Sequence, residues 1–213
     1  MSSLQPTTWA RRTREGRQRI FAVTKFARLK WSVFEPLSTV QVLDLDDHDE
    51  PRWTPLFDTR DGEERPVHPL GNELATNTPL SRMRVVLRAV ESWEFWQDAE
   101  TEPPAPLLIE NQNNEPITIA QFITHFHSYA LGLRDALYEA LGIYNNEECS
   151  YFFCYGPSAE NVENDDALFE ICVKPNSELT EFWDRSVERF RQLQNRQQQS
   201  EKQQEVQEGL SSL

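Results

Sequence analysis

The stretch Ile117–Gly142, ITIAQFITHFHSYALGLRDALYEALG, has the most strongly patterned sequence in the chain. Its apolar residues recur at spacings of three and four, the period of an α-helix with one buried face. Thr118 is a typical N-cap residue, and Gln121 three positions later completes a capping box. The pattern predicts a helix over residues 119–141 that ends at Gly142. The apolar stripe of this helix consists of Phe122, Phe126, Ala130, Leu133, Leu137 and Leu141.

Several segments around this helix have the composition of β-strands. Val85, Leu87 and Ala89 alternate with Arg84 and Arg88, which predicts a strand over residues 82–90. Apolar and β-branched runs of strand length predict further strands within residues 31–45, 107–109, 151–155 and 168–173.

A second amphipathic helix is predicted from about residue 177 to 195, where apolar residues again recur at helical spacing. The apolar stripe then ends, and the Gln-rich sequence that follows predicts a polar tail. Strands and helices do not alternate regularly along the chain, which argues against a doubly wound parallel sheet. The expected fold is α+β, with an antiparallel or mixed sheet packed by two long helices, 119–141 and about 177–195. The apolar face of the second helix consists of Leu179, Phe182, Trp183, Val187, Phe190 and Leu193.

Residues 46–80 are predicted to form a long irregular loop. Proline removes a backbone donor and is excluded from helix interiors and central strands. Trp53, Leu56 and Phe57 are large apolar side chains, and we expect them to hold part of the loop against the body of the protein. The prolines that interrupt the segment are Pro51, Pro55, Pro66, Pro69 and Pro79.

Charge is distributed unevenly. Residues 1–30 carry eight Arg or Lys and one Glu, whereas the formal net charge of the chain is −14, so residues 31–213 carry −21. The predicted organisation is therefore a basic arm over residues 1–30, a single α+β domain over 31–193 that includes the loop 46–80, and a polar tail over 194–213.

The arm and the densest acidic run are the predicted partner-binding segments. Because the acidic body would repel a nucleic acid, a protein partner is favoured over RNA or DNA. For the arm, the open alternatives are docking onto its own chain, nucleic-acid binding and a targeting signal. For the acidic run, they are a solvated loop and a metal site. The candidate residues are Arg11, Arg12, Arg14, Arg17, Arg19 and Arg28 in the arm, and Asp44, Asp46, Asp47 and Asp49 in the acidic run.

Residues that could perform chemistry do not form a recognisable motif. The sequence has no GxGxxG, P-loop, GxSxG, HExxH or CxxC pattern. His125 and His127 point about 200° apart on a helix, which disfavours a shared metal. The acidic run begins like a calcium loop but has Asp49 where the loop requires glycine. Three cysteines without a zinc spacing indicate reduced thiols that pack as small apolar groups. We therefore expect no metal and no cofactor.

The leading hypothesis is a non-enzymatic intracellular adaptor or subunit of a multiprotein assembly. It would make contacts through the basic arm, loop 46–80 and the C-terminal helix. The first alternative is an enzyme or small-ligand-binding protein with a pocket between the sheet and helix 119–141, where His125, Tyr129 and Glu170 are the candidate residues. The second is nucleic-acid binding through the arm.

The location expected for the chain is cytoplasmic or nuclear. The Arg-rich, nearly acid-free start also fits a mitochondrial transit peptide, which would direct the protein to the matrix. No apolar run reaches the length of about 18 residues that indicates a membrane-spanning helix, so no membrane association is expected.

Overall fold

The structure of the 213-residue chain is a computed structural model. It describes residues 23–46, 48, 50–87, 104–140, 149–154, 166–175 and 179–211. Most of the predicted basic arm, residues 1–22, lies outside the described residues. So do the predicted ends of one strand at 88–90 and of the first long helix at 141–142.

Helices and strands follow one another irregularly along the chain, as the sequence pattern predicts. Two short 3-10 helices, Leu37–Thr39 and Pro69–Asn72, interrupt the N-terminal half. In chain order the other elements are α1 (Val23–Phe26), β1 (Leu29–Lys30), β2 (Gln41–Leu45), β3 (Pro51–Pro55), β4 (Phe57–Arg60), β5 (Glu63–Pro66), β6 (Arg82–Leu87), β7 (Leu107–Glu110), α2 (Ile119–Gly132), α3 (Arg134–Ala140), β8 (Cys149–Cys154), β9 (Asp166–Pro175) and α4 (Leu179–Ser211).

The described strands form three small sheets. Strands β1, β2 and β3 form an antiparallel sheet in that order, and β4 pairs with β5 as a hairpin. The third sheet has the order β7-β6-β9-β8, in which β6 and β9 are parallel and the other pairs antiparallel. The α+β class is thus confirmed, but the strands are divided among separate sheets.

The start of helix α2 confirms the predicted cap. The Thr118 hydroxyl accepts a hydrogen bond from the Gln121 backbone N–H at 3.2 Å. The second half of the predicted capping box is wrong. The Gln121 side chain turns to Asn111 and forms a reciprocal pair of amide hydrogen bonds with it. Asn111 can both donate to and accept from that side chain, so it satisfies the amide better than one backbone N–H does.

The single helix predicted over 119–141 is divided in the structure. Leu133 leaves the helical conformation, with φ −107° and ψ 11°, and separates α2 from α3. Gly132 precedes the break and has the low helix propensity of glycine. The predicted apolar stripe nevertheless continues across the break, because Leu137 in α3 is fully buried like Phe122 and Phe126 in α2.

The prediction of an irregular loop over residues 46–80 is wrong, since the segment contains β3, β4 and β5. Pro51 and Pro55 lie at the ends of β3, which is an edge strand of its sheet. At strand ends and edges a missing N–H costs little, so these prolines do not prevent pairing. Leu56 and Phe57 are buried, which confirms that this segment is held against the body.

The boundary of the basic arm also requires correction. Residues 23–30 belong to the folded body, because Phe26 and Leu29 are buried in the main core. Phe26 packs edge-on against Phe122 with ring centres 5.5 Å apart. The arm beyond the fold is therefore no longer than residues 1–22.

Helix α4 is longer than predicted. It runs for 33 residues without interruption and includes most of the segment 194–213 that was predicted to be a polar tail. Its described side chains beyond residue 194 are exposed, namely Asn195, Arg196, Gln199 and Gln203. An exposed face explains why the segment lacks an apolar stripe although it is helical.

Within the described residues, no helix combines the length and the apolar character needed to cross a membrane.

Two glycines should respond in opposite directions to substitution by alanine. A Cβ at Gly71 would lie 3.1 Å from Pro66 Cβ and 3.3 Å from Ala120 Cβ, whereas a Cβ at Gly132 would meet no atom within 4 Å. We expect Gly71→Ala to lower the free energy of unfolding by about 1–3 kcal/mol through overpacking. Gly132→Ala, the matched control, should raise it by about 0.4–1 kcal/mol. Urea unfolding at constant m-value measures both, and equal effects would contradict the described packing.

Candidate functional site

The first half of helix α4 lies against the sheet β1-β2-β3 through aromatic side chains. Trp183 of α4 packs edge-on against Trp53 of β3, with ring centres 5.6 Å apart and an interplanar angle of 76°. Phe182 packs against Trp183 at 4.8 Å, and Phe190 two turns later is buried. Aromatic rings therefore contribute to the attachment of the helix to the sheet.

Two cations from the N-terminal segment complete this contact. The ammonium of Lys30 lies 5.8 Å from the ring centre of Trp53 and 5.6 Å from that of Trp183. The guanidinium of Arg28 lies over the ring of Phe190 at 5.2 Å. A cation over an aromatic face is stabilised by the ring quadrupole, most strongly over tryptophan. We name the set Lys30, Trp53, Phe182, Trp183 and Phe190, with Arg28, the helix junction.

Arg28 is held in place by Asp44 of β2. Its guanidinium forms a short ion pair with Asp44 Oδ1, and its Nε donates to the carbonyl of Leu43 at 3.0 Å. Asp44 Oδ2 also accepts from the Thr54 hydroxyl at 2.7 Å and from His68 Nε2 at 2.9 Å. Partial burial alone raises the pKa of the Asp44 carboxyl, but the hydrogen bonds from Thr54 and His68 and the charge of Arg28 lower it below its usual value.

The pairing of His68 with Asp44 resembles the orienting half of a catalytic dyad, but its chemistry is different. His68 Nδ1 accepts a hydrogen bond from the Leu70 backbone N–H at 3.0 Å and caps the second 3-10 helix. Because that nitrogen is an acceptor, the proton of the neutral ring is on Nε2, which donates to Asp44. Both ring nitrogens form hydrogen bonds within the fold, so His68 links β2 to the second 3-10 helix.

The predicted pocket residues lie apart from this junction. His125 is exposed on α2, and the hydroxyl of Tyr129 donates to the carbonyl of Ala105 at 3.0 Å. Burial raises the pKa of Tyr129. Glu170 stands opposite Cys154 in the pairing of β8 and β9. A cavity of about 390 Å³ is found elsewhere, beside β4.

The predicted partner-binding residues are described only in part. Arg28 and Asp44 pair with each other. Asp46 accepts hydrogen bonds from the backbone N–H groups of Glu50 and His48 at 2.9 and 2.8 Å, and these bonds lower its pKa. The remaining candidates lie outside the described residues and stay predictions, namely Arg11, Arg12, Arg14, Arg17, Arg19, Asp47 and Asp49.

Metal-ligating side chains do not gather in the part of the chain that the structure describes. There, no group of three or more His, Cys, Asp or Glu residues is placed to hold an ion. Strands β8 and β9 pair with each other, with Cys172 opposite Phe152 and Cys154 opposite Glu170.

Comparison with known proteins identifies no relative: the chain matches no protein-family model, no curated protein and no solved structure at a significant level.

The sequence does not predict the roles of Lys30, which belongs to the helix junction, and of His68, which bonds Asp44 beside it. Neither carries a local signal, because the partners of Lys30 come from β3 and α4 and the partner of His68 comes from β2. Trp183 and Phe190 were placed correctly on the apolar face of the second helix, and Trp53 was predicted to contact the body.

The charge of Lys30 should matter for the attachment of α4. Lys30→Met keeps the length of the side chain and removes both cation–π interactions, each worth about 0.5–1 kcal/mol at a partly exposed site. We expect amide hydrogen exchange in residues 183–193 to accelerate about two- to fivefold for each interaction removed. Lys30→Arg should be close to wild type. Lys25→Met, which breaks the surface pair with Glu73, is the control and should leave this exchange unchanged. An identical effect of the two methionine variants would contradict the role of the junction.

Asp44 should make stability depend on pH in the acid range. Because its folded-state pKa is lowered, its contribution is complete above the unfolded pKa of about 3.9 and is lost as pH falls through the folded pKa. Asp44→Asn should lower the free energy of unfolding at pH 7 by about 1.5–3 kcal/mol, since it removes hydrogen bonds to a charged group. Between pH 5 and 3, the free energy of unfolding of this variant should also change less than that of the wild type. Glu181→Gln, which alters an exposed pair with Arg185, should change neither quantity appreciably.

Proposed function

We propose that the protein is a non-enzymatic adaptor or subunit of a multiprotein assembly, and that it presents the second half of helix α4 to a protein partner. The observation that carries this proposal is the division of α4 into two halves of different character. Contacts with the body that the structure describes come from Trp183, Phe190 and Arg191, and the helix continues for 20 residues beyond Arg191 to Ser211. At 1.5 Å per residue, the segment after residue 193 is about 27 Å long.

The described side chains in the second half of α4 have the chemistry of a polar contact surface. Gln199 and Gln203 are exposed, and each amide can donate and accept hydrogen bonds. A short polar helix is marginal in water by itself because nucleation is costly. Continuation from the anchored half avoids that nucleation cost. The body thus supplies a preformed helix, which reduces the entropy that a partner would lose in ordering it.

The three segments predicted to make contacts meet at the helix junction. Arg28 and Lys30 come from the predicted arm, Trp53 comes from the segment 46–80, and Trp183 comes from the C-terminal helix. Glu50 adds an exposed ion pair with Arg191 at 3.5 Å. This convergence supports a role in fixing the direction in which α4 leaves the body.

The hydrogen bonds of the described ionisable residues support a non-enzymatic role. His68 and His127 use ring nitrogens to hold segments of the fold together, and Tyr129 donates to a backbone carbonyl. In His68 both ring nitrogens are engaged, so neither is available to transfer a proton to a substrate.

Nucleic-acid binding through the arm is less favoured than the full count of basic residues suggests. Lys25 pairs with Glu73, Arg28 pairs with Asp44, and Lys30 contacts two tryptophan rings. The other five basic residues of the predicted arm are the arginines at positions 11 to 19, which lie outside the described residues. If those five residues alone engaged phosphates, the slope of log affinity against log salt concentration would be at most about −4.5 for RNA or DNA. All eight basic residues would give about −7. Protein docking by residues 1–22 remains part of the proposal.

The contact role of α4 can be tested by breaking the helix beyond the junction. Gln199→Pro removes a backbone donor inside the second half of α4 and costs about 3 kcal/mol of local helix stability, while leaving the junction unchanged. We expect proteins that co-purify with the full chain from its native cells to be lost with Gln199→Pro and retained with Gln199→Ala. Thermal unfolding of the body should be the same for both variants. Equal recovery of partners with both variants would contradict a contact through α4, and a wild-type chain that recovers none would overturn the adaptor function.

A further inference from the structure

The register of the hairpin β4–β5 determines which backbone groups of β4 point toward β5 and which point away from it. Arg60 stands opposite Glu63 across the two-residue turn Asp61-Gly62, in which both residues have positive φ, 55° and 80°. In such a hairpin the residues flanking the turn exchange both backbone hydrogen bonds, and every second pair along the ladder does the same. The backbone groups of Thr59 therefore point away from β5.

The outer edge of β4 is not paired with any other strand that the structure describes. Among the strands that the structure describes, β4 pairs with β5 alone. The cavity of about 390 Å³ follows this strand, and its lining includes Phe57 to Arg60 together with Ser38, Pro55 and Val67. Val67 is 50% exposed, so the cavity also offers an apolar surface at its rim. A further strand would lie about 4.8 Å from β4.

The exposed face of the hairpin carries a square of alternating charges. Side chains alternate between the two faces of a strand, so Asp58 and Arg60 share a face with Glu63 and Arg65. Asp58 stands opposite Arg65, and Arg60 stands opposite Glu63. Within each strand the acid also pairs with the base, at 2.8 Å for Asp58–Arg60 and 2.6 Å for Glu63–Arg65.

This pattern is complementary to itself. If a second β4 aligns antiparallel with Thr59 opposite Thr59, then each Asp58 faces Arg60 of the other copy. A row of side chains across the four strands then consists of Arg65 and Asp58 from one copy, followed by Arg60 and Glu63 from the other. Each charge in this row lies beside a charge of the opposite sign. Moving the symmetry axis by one residue in either direction places Asp58 against Asp58 or Arg60 against Arg60, and like charges directly opposite are destabilising.

We propose that two copies of the chain associate through their β4 edges, about a two-fold axis at Thr59, to form a continuous sheet β5-β4-β4-β5. The interface is isologous, so each copy supplies the same residues. It is a short contact, and we expect a weak, concentration-dependent dimer rather than an obligate one. The proposal is independent of the partner of α4, because Gln199→Pro leaves β4 unchanged.

Backbone hydrogen exchange in the full-length wild-type chain provides the most direct test. The backbone N–H of Thr59 points out of β4, and that of Glu64 points out of β5, which remains an edge in the dimer. Exchange at Thr59 should slow at least tenfold between dilute and concentrated protein, while exchange at Glu64 stays constant. The measurement is made at 0.15 M salt, where a screening length of about 8 Å reduces the repulsion between two acidic bodies. Equal behaviour of the two amides, or no change at either, would overturn the proposal.

A charge-swapped variant tests the register while preserving composition and net charge. It combines Asp58→Arg, Arg60→Asp, Glu63→Arg and Arg65→Glu, which keeps the square complementary within each copy. The variant should form a dimer with itself as wild type does. In a mixed dimer with wild type, like charges would face each other at both symmetric positions. The mixed dimer should therefore be at least tenfold weaker, as measured by energy transfer between labelled chains.

Free mixing of the two forms would show that any dimer forms elsewhere and would refute the proposal. A chain that stays monomeric, but whose Thr59 amide becomes protected when another protein's strand is added, would also refute it and would assign the edge to a different partner. Single reversal by Arg60→Asp should abolish measurable association, and persistence of the dimer would again count against this interface.

Discussion

The carboxylate of Asp44 is the group on which the arrangement of the N-terminal half depends. Its partners come from three other segments: Arg28 before β1, Thr54 in β3 and His68 before the second 3-10 helix. A half-buried carboxylate without such donors is costly, so these segments are stabilised in one relative position. Because Arg28 also covers Phe190, the same carboxylate influences how α4 lies on the sheet.

The core and the junction rely on different physical chemistry. The buried face of α2 makes apolar contacts, with Trp31 and Phe126 packed edge-on at 5.5 Å and Phe122 fully buried. At the helix junction, cations lie over aromatic rings and are only half-buried. Contacts of the first kind are insensitive to charge, whereas those of the second kind change when a side chain loses its charge. Of these two sets of contacts, the attachment of α4 is therefore the more sensitive to changes of charge.

The candidate site could be predicted from the sequence only in part. The aromatic face of α4 follows from helical spacing, and burial at Leu56 and Phe57 follows from their size. Asp61-Gly62 is a strong turn signal for the hairpin β4–β5, but the prolines around it disfavour strands and predict a loop instead. The role of Lys30 could not be predicted, since its two ring partners are distant in sequence and meet only when α4 folds back onto β3.

The sequence by itself determined the start of α2 at Thr118, the buried faces of α2 and α4, the α+β class and the uneven charge. These properties follow from local spacing and capping, which depend on neighbours within a few residues. Only the tertiary structure decided the three sheets, the partners of Asp44 and the fact that residues 23–30 belong to the body. It also decided the register that places Asp58 opposite Arg65. Strand pairing and ion pairing between distant segments depend on closure of the whole chain, and no local pattern encodes which segments will meet.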